Sequence, residues 1–409
     1  MSGSRSHSRS VLALMILAVA ASPGGTLAQT AGGGEGTLYG PPRHVRVNGI
    51  DAVMSGDAAS HSVGLSEAST PGYWTPEKMA AAKPMLPPAA SLERAEVGVA
   101  PADLADPPGP PGWVDGQPPL AARQSSADSG AEAGAELDES ALLEMTQPGN
   151  HDSPSSSSYP FVGFRWFYPQ NKFPVSAIGK LFFTMNGSNF VCSAATIGPN
   201  HVATAGHCLH AGNNSSAGWA TNVLFCPQYN NGASPKVGCW YASSIWVGSI
   251  WYASGNADRD WGGARMNSTG TVKAKPIGDV TGWLGYAWNF GNPVVMQFGY
   301  SSASPFNGMK LILCNTVVNG YVNFGTGAVS QHVGCHQRPG SSGGPWIIGF
   351  GPTGSNPNAV THNWLAGVNS QIFCSGGCTG SNYVNRWTSP GFTSESGGSK
   401  EFLDFLLTR

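Results

Sequence analysis

All eight cysteines of this 409-residue chain fall between Cys192 and Cys378. That one-sidedness limits the possible folds more than any other feature, because it separates a part that can be cross-linked from a part that cannot. Residues 29–158 are rich in Ala, Gly, Pro and Ser, hold no cysteine and keep no sustained period of 2 or 3.6. Such a segment buries too little apolar surface to offset its ordering entropy, so a largely disordered leader is expected, ending in the linker "SPSSSSYP". Within it "HVRVNGIDAV" suits a pairing strand, and "AELDESALLEM" has the apolar spacing of a short helix. Ahead of the leader, Arg5 and Arg9 precede an apolar run at 11–21 and small residues at Thr26 and Ala28. That is the pattern of a secretory signal peptide over residues 1–28, cleaved after Ala28. The run is shorter than the roughly 20 apolar residues of a spanning helix. No later run is long enough either, so the expectation is a secreted, extracellular chain with no membrane span in its mature part.

From residue 159 onward, short runs rich in β-branched and aromatic residues ("AIGKLFFTM", "NVLFCPQY", "ASSIWVGSIWY", "PVVMQFGYS", "LAGVNSQIF") alternate with Gly, Asn, Ser and Pro clusters. They predict an all-β sandwich or barrel over 159–409, a normal size for such a domain. Only "SKEFLDFLLTR" reads as a helix, with Phe402, Leu403, Phe405 and Leu406 on one stripe. This part carries thirteen Lys and Arg against six Asp and Glu, whereas the residues before it carry eight against seventeen. An acidic leader could therefore dock on a basic domain. The basic residues are too scattered for a nucleic-acid footprint, so no nucleic-acid partner is expected.

An even cysteine count behind a signal peptide predicts disulfides. Pairing in chain order joins Cys192 to Cys208, Cys226 to Cys239, Cys314 to Cys335 and Cys374 to Cys378. Zinc at His332, Cys335 and His336 in "HVGCH" would need the Cys335 thiolate that such a bridge consumes, so no metal or other cofactor is expected.

Three short stretches carry chemistry. In "RPGSSGGPW", Ser342 sits in a glycine-framed turn, and in "TAGHC", His207 adjoins a cysteine whose bridge would fix the imidazole as a general base requires. His201 and His210 read as structural. In "NADRDWGGARM", Asp260 lies among small and apolar residues where a buried carboxylate needs a partner such as a histidine N–H. Asp258 is expected in the exposed turn before it, paired with Arg259. "GSSGG" also satisfies the elbow of α/β-hydrolases, but those place acid and histidine after the serine, and only His362 and Asp404 follow Ser342, in the wrong order.

The order His207, Asp260, Ser342 in "TAGHC", "DWGGA" and "GSSGGP" resembles the chymotrypsin-like serine proteases, in particular the bacterial glutamyl endopeptidases, over about residues 160–409. The resemblance implies two six-stranded antiparallel β-barrels with a closing C-terminal helix and a site between them. It also implies the Cys192–Cys208 bridge beside the histidine. Ser342 would be the nucleophile, His207 the base and Asp260 its orienting carboxylate, with the N–H groups of Gly340 and Ser342 as oxyanion hole. Ser370 would contact the buried Asp, and Gln371 and Ile372 would pair with an extended protein or peptide substrate. His336 and Gln337 would form the base and wall of the primary pocket. With Arg338 nearby, His336 points to an acidic or polar side chain, while Asn369 stands where glutamyl endopeptidases carry a histidine. Ser341 replaces the Asp that in many relatives pairs with the new N-terminal amine, so that activation switch is expected to be absent. The leader, 29–158, is expected to act as a propeptide, folding aid or inhibitor. A catalytically silent protease-fold binding or adhesion protein is the competing reading.

Overall fold

The structure is a computed structural model. It describes residues 43–47, 50–55, 58–62, 72–87, 89–91, 109–125, 151–152, 160–166, 169–319, 321–322, 329–351, 362–374, 382–395 and 398–409. The signal peptide, the "AELDESALLEM" patch and Cys378 lie outside the described residues. Among the described residues no helix is long and apolar enough to cross a membrane.

Six strands close the first barrel: β1 (Ile178–Met185), β2 (Ser188–Gly198), β3 (His201–Thr204), β4 (Thr221–Pro227), β5 (Trp240–Gly248) and β6 (Gly262–Met266). Each neighbour pair is antiparallel, and β4 returns to β1 to complete the ring. Asn186 and Gly187 join β1 to β2 with φ of 49° and 74°. Those are the left-handed values a two-residue type I′ hairpin demands. Along β1 alternate residues part into two cores. Leu181, Phe183 and Met185 point into the barrel, while Ile178 and Phe182 join the core beneath the second half. The C-terminal helix Ser399–Leu407 sits on the barrel's core through Phe402, Leu403, Phe405 and Leu406, the stripe the sequence predicts.

The second half contains β7 (Gly285–Trp288), β8 (Val294–Gly299), β9 (Ile312–Val317), β10 (Ser330–Gly334), β11 (Pro345–Ile348), β12 (Trp364–Val368), β13 (Ile372–Cys374) and β14 (Tyr383–Pro390). They fall into an eight-stranded and a five-stranded sheet that share a core built on Trp346, Trp364, Trp387 and Val333. All but the β7–β12 pair are antiparallel among these eight. The mostly β architecture is thus present, with one six-stranded antiparallel barrel closed by hydrogen bonds and a companion half formed by two sheets over one core.

Cys192–Cys208, Cys226–Cys239 and Cys314–Cys335 are bridged. Cys374 is also disulfide-bonded.

Parts of the leader pack on this frame. The stretch 43–55 pairs as a hairpin, Arg43–Val47 with Ile50–Ser55, and Ala58–Ser62 joins it to the end of β5. Trp74 is buried against Phe182 and donates its indole N–H to the Asn222 carbonyl at 2.6 Å. Gly112–Val114 extends the sheet at β7, and Trp113 stacks on Trp364 at 5.0 Å. Among the described residues the one leader-to-domain ion pair, Arg123 with Asp279, runs against the overall charge asymmetry. Apolar anchors and strand pairing hold these segments, not net charge.

Lys180 is the unusual residue of the second core. It is 4% exposed, donates to the Gly308 carbonyl at 2.9 Å and lies over the Tyr229 ring. Burial pulls its ammonium down from 10.5 to about 8. The unfolded chain therefore holds more protons than the native one between those values, and stability rises with pH across that window. Below it the cost of the buried charge is fully present. Lys180→Met is accordingly expected to be more stable than wild type near pH 7. That advantage should shrink by about 3 kcal/mol by pH 10.5, at ~1.4 kcal/mol per pH unit, as read from urea midpoints at both pH values.

Candidate active site

His207 ends the run that follows β3, in the single turn Gly206–Cys208. Its backbone N–H donates to Asp260 Oδ1 and its Nδ1 pairs with Asp260 Oδ2, both at 2.7 Å. Asp260 caps the turn Ala257–Arg259 just before β6 and is fully buried. From the other half, Ser370 Oγ donates to the same Oδ2 at 2.6 Å. A carboxylate removed from water needs such donors to stay charged. With Nδ1–H directed at the carboxylate, Nε2 of a neutral imidazole is left as an acceptor.

Ser342 lies in the turn just before β11. Its carbonyl accepts the Ser193 N–H at 2.7 Å, and Ser193 Oγ donates to the Gly340 carbonyl. Two glycines make the turn possible: Gly340 has φ of 99° and Gly343 of 76°. A Cβ on Gly343 would come within 1.9 Å of Thr204 Oγ1 and 2.8 Å of Ala205 N. The segment after Ser342 therefore lies against the two residues that lead into Gly206 and His207. Ser342 Oγ and His207 Nε2 are both buried and have no hydrogen-bond partner among the described residues.

Backbone donors in this turn are divided. The Ser341, Gly343 and Gly344 N–H groups bond to Arg338, Asn369 and Ser341 carbonyls. Among the described residues those of Gly340 and Ser342 have no acceptor. Two free N–H groups beside an unpartnered hydroxyl can receive an oxyanion. Ser341 itself bonds to the Arg338 carbonyl through Oγ.

The expected pocket residues are occupied with one another. Asn369 Nδ2 donates to Gln337 Oε1 and to the Phe298 and Ser341 carbonyls, and its Oδ1 accepts from Trp346 Nε1. Gln337 Nε2 donates to the Gln297 and Ile312 carbonyls. His336 is buried, stacked on Phe161, with Nδ1 at 3.3 Å from Cys314 Sγ. Gln371 accepts from Thr388 Oγ1 through its amide oxygen. Both close groupings of His and Cys among the described residues, around His207 and around His336, contain a disulfide whose sulfurs are spent.

Asp258 corrects the sequence reading. It is buried, not exposed, and accepts from Ser330 Oγ, while Arg259 pairs with Glu395 at 2.9 Å. Its partner lies on another strand, so no local signal marks it. Ser193 and Thr204, which fasten the Ser342 turn, escape the sequence reading for the same reason. His201 and His210 are structural, bonded to the Arg409 and Ser215 carbonyls.

No family model matches the chain. Among curated proteins it is 28% identical to an extracellular metalloprotease of Bacillus subtilis over 30% of this chain and 36% of that one. It is 33% identical to a glutamyl endopeptidase of Bacillus licheniformis over 24% and 27%. The matches thus span about a third or less of those relatives. Two solved structures are matched along nearly their whole length. A thermostable serine protease, AL20, from an extremophilic microorganism is 30% identical, covering 57% of this chain and 98% of that one, with a TM-score of 0.46. Protease Anisep from Arthrobacter nicotinovorans is 34% identical, covering 55% and 93%, with a TM-score of 0.43. Identity at that level along almost all of two proteases decides the family.

The chain belongs to the chymotrypsin-like serine proteases. In this chymotrypsin-like chain the first barrel supplies His207 and Asp260, and the second half supplies Ser342 and Ser370. Ser370→Ala removes one of three donors to a buried carboxylate, a hydrogen bond to a charge worth about 1.5–3 kcal/mol. The expected result is a lower urea midpoint with unchanged slope.

Proposed function

We propose that the protein is a secreted serine endopeptidase, made as a precursor, that cuts peptide bonds through a His207–Asp260–Ser342 triad and an acyl-enzyme. The observation that carries this reading is the pair of buried, unpartnered atoms, Ser342 Oγ and His207 Nε2, with His207 held from behind by a fully buried Asp260.

In the reaction Ser342 Oγ adds to the substrate carbonyl carbon as its proton passes to His207 Nε2. The carbonyl oxygen becomes an oxyanion between the Gly340 and Ser342 N–H groups, where losing one donor costs roughly 3 kcal/mol of transition-state stabilisation. Asp260 fixes the imidazole tautomer and offsets the positive charge that forms. The C–N bond then breaks, the amine leaves with the proton from Nε2, and an ester on Ser342 remains. Water repeats the sequence, giving its proton to His207 and releasing the acid. Disulfides and the likeness to an extracellular metalloprotease of Bacillus subtilis support secretion. The leader serves as inhibitor or folding aid, since several of its segments pack on the domain.

Gln337 and Asn369 shape this site from behind, because their polar atoms are committed to the framework.

Labelling with a fluorophosphonate, which takes Ser342 Oγ at phosphorus and loses fluoride, tests the reading. After removal of the leader, wild type should label and cleave casein, and Ser342→Ala should do neither. Asp260→Asn should retain the fold and lose about 10⁴ in kcat. Labelling that persists in Ser342→Ala would overturn the assignment.

A further inference from the structure

The leader does more between Lys83 and Ser91 than cover a surface. Lys83–Pro84 pairs in parallel with Phe190 and Val191 on β2, and the Met85 N–H donates to the Val191 carbonyl at 3.0 Å. Val191 precedes Cys192, and the Cys192–Cys208 sulfurs lie within 4.8 Å of a His207 ring nitrogen. A few residues later Ala89–Ser91 pairs in parallel with Ile372–Cys374. That strand begins two residues beyond Ser370, which holds Asp260 from the other half. Residues 85–87 therefore leave the His207 side of the site, and the chain is next described at Ala89 on the Ser370 side. From Pro84 to Ala89 is five residues, and an extended chain of that length reaches about 17 Å. Met85 packs on the barrel core, Pro87 is buried, and Leu86 is 62% exposed. Ser342 Oγ and His207 Nε2 are out of contact with solvent.

Direction decides what this crossing does. In the proposed reaction His207 returns its proton to the leaving amine, so the amine half of a substrate lies on the His207 and Val191 side. The acyl half then lies along Gln371–Cys374. A substrate consequently runs, from N to C, from the Ile372 edge toward the Val191 edge. Residues 83–91 run the other way, from Val191 to Cys374.

We infer that residues 83–91 are a strap that fills the substrate path in reverse, an extended peptide partner bound to both strand edges at once. This inference rests on the proposed triad. An edge strand offers unpaired N–H and C=O groups that an added chain satisfies in either sense. In the reversed sense the peptide amine faces away from His207, so the bond nearest Ser342 is not set up for cleavage. Pro84 and Pro87 hold φ extended, which keeps the strap straight as it crosses. The domain thus binds a reversed peptide as a block and a forward peptide as a substrate at the same edges.

The test measures the rate at which a fluorophosphonate labels Ser342 in the intact full chain, comparing wild type with Met85→Pro, which removes the donor to Val191. A second variant, Ala90→Pro, disturbs the other edge. Slow labelling of wild type is expected, with at least one variant faster by about tenfold or more, since a blocked state leaves only a minor open population. Adding the free peptide of residues 83–91 should slow the fast variant again and be recovered uncut. Equal, rapid labelling of all three chains overturns the strap and leaves the triad standing. If none labels, the leader is cut away with added subtilisin: labelling that then appears only at sites other than Ser342, or not at all, overturns the triad and the strap with it. Labelling of Ser342 that appears only after the cut, with both variants as slow as wild type, places the block elsewhere in the leader and overturns the strap.

Discussion

The buried carboxylate of Asp260 is the point on which the two halves of this protein agree. It takes the backbone N–H and Nδ1 of His207 from its own barrel and the hydroxyl of Ser370 from the other half. A fully buried anion is costly unless every lone pair in use has a donor. That demand fixes three loops relative to one another, the one after β3, the one before β6 and the one after β12. A second tie, from Ser193 on β2 to the Ser342 carbonyl and the Gly340 carbonyl, sets the Ser342 turn against the same barrel. The site's geometry therefore follows from two sets of buried hydrogen bonds, with hydrophobic packing supplying the rigid walls behind them.

The site was legible in the sequence where its chemistry is local. "TAGHC" and "GSSGG" each hold within five residues the backbone conformation and the side chain that the chemistry needs, and Gly340 and Gly343 do have the left-handed φ that such a turn implies. Asp260 was legible because an acid among small apolar residues must have a buried partner. Asp258, two residues earlier in the same phrase, misleads by the same local logic: Ser330, which bonds it, is 72 positions away. Three chain-order disulfides are present; Cys226 and Cys239 are neighbours across the turn from β4 to β5, whereas Cys314 on β9 and Cys335 just past β10 join two different sheets. The extent of leader docking was not readable. Trp74 looks like an isolated tryptophan in a Pro- and Ala-rich stretch, and its acceptor at Asn222 is 148 residues on.

Charge is the clearest case of a true composition with the wrong local consequence. The leader region is acidic and the domain basic, yet Arg123 of the leader meets Asp279 of the domain, and Lys78 covers the leader's own Tyr73 ring at 3.8 Å. Exposed charges are screened within about 8 Å in physiological salt. An indole in a closed core, or a strand against an edge, keeps its free energy at any ionic strength. Docking by Trp74, Trp113 and added strands therefore outweighs an asymmetry that acts only at range, and net charge is left to influence encounter more than the final pose.

On the proposed strap, the edges at Val191 and Cys374 bring regulation and catalysis into one set of hydrogen bonds. A sheet edge left open beside a cleft is a hazard as well as a binding site, since it pairs with any extended chain. A leader strand at each edge removes that hazard while the domain folds. The same exchange means that tightening the edges for substrate would also tighten them for the leader, because both ligands use the backbone there. Direction and tethering then help to distinguish the two. A tethered segment competes at a high effective concentration that a free peptide does not match, and this advantage disappears when the chain between Trp74 and the domain is cut. On the proposed strap, cleavage of the leader would convert the edges from self-pairing to substrate pairing while the hydrogen bonds that hold Asp260 and His207 stay in place.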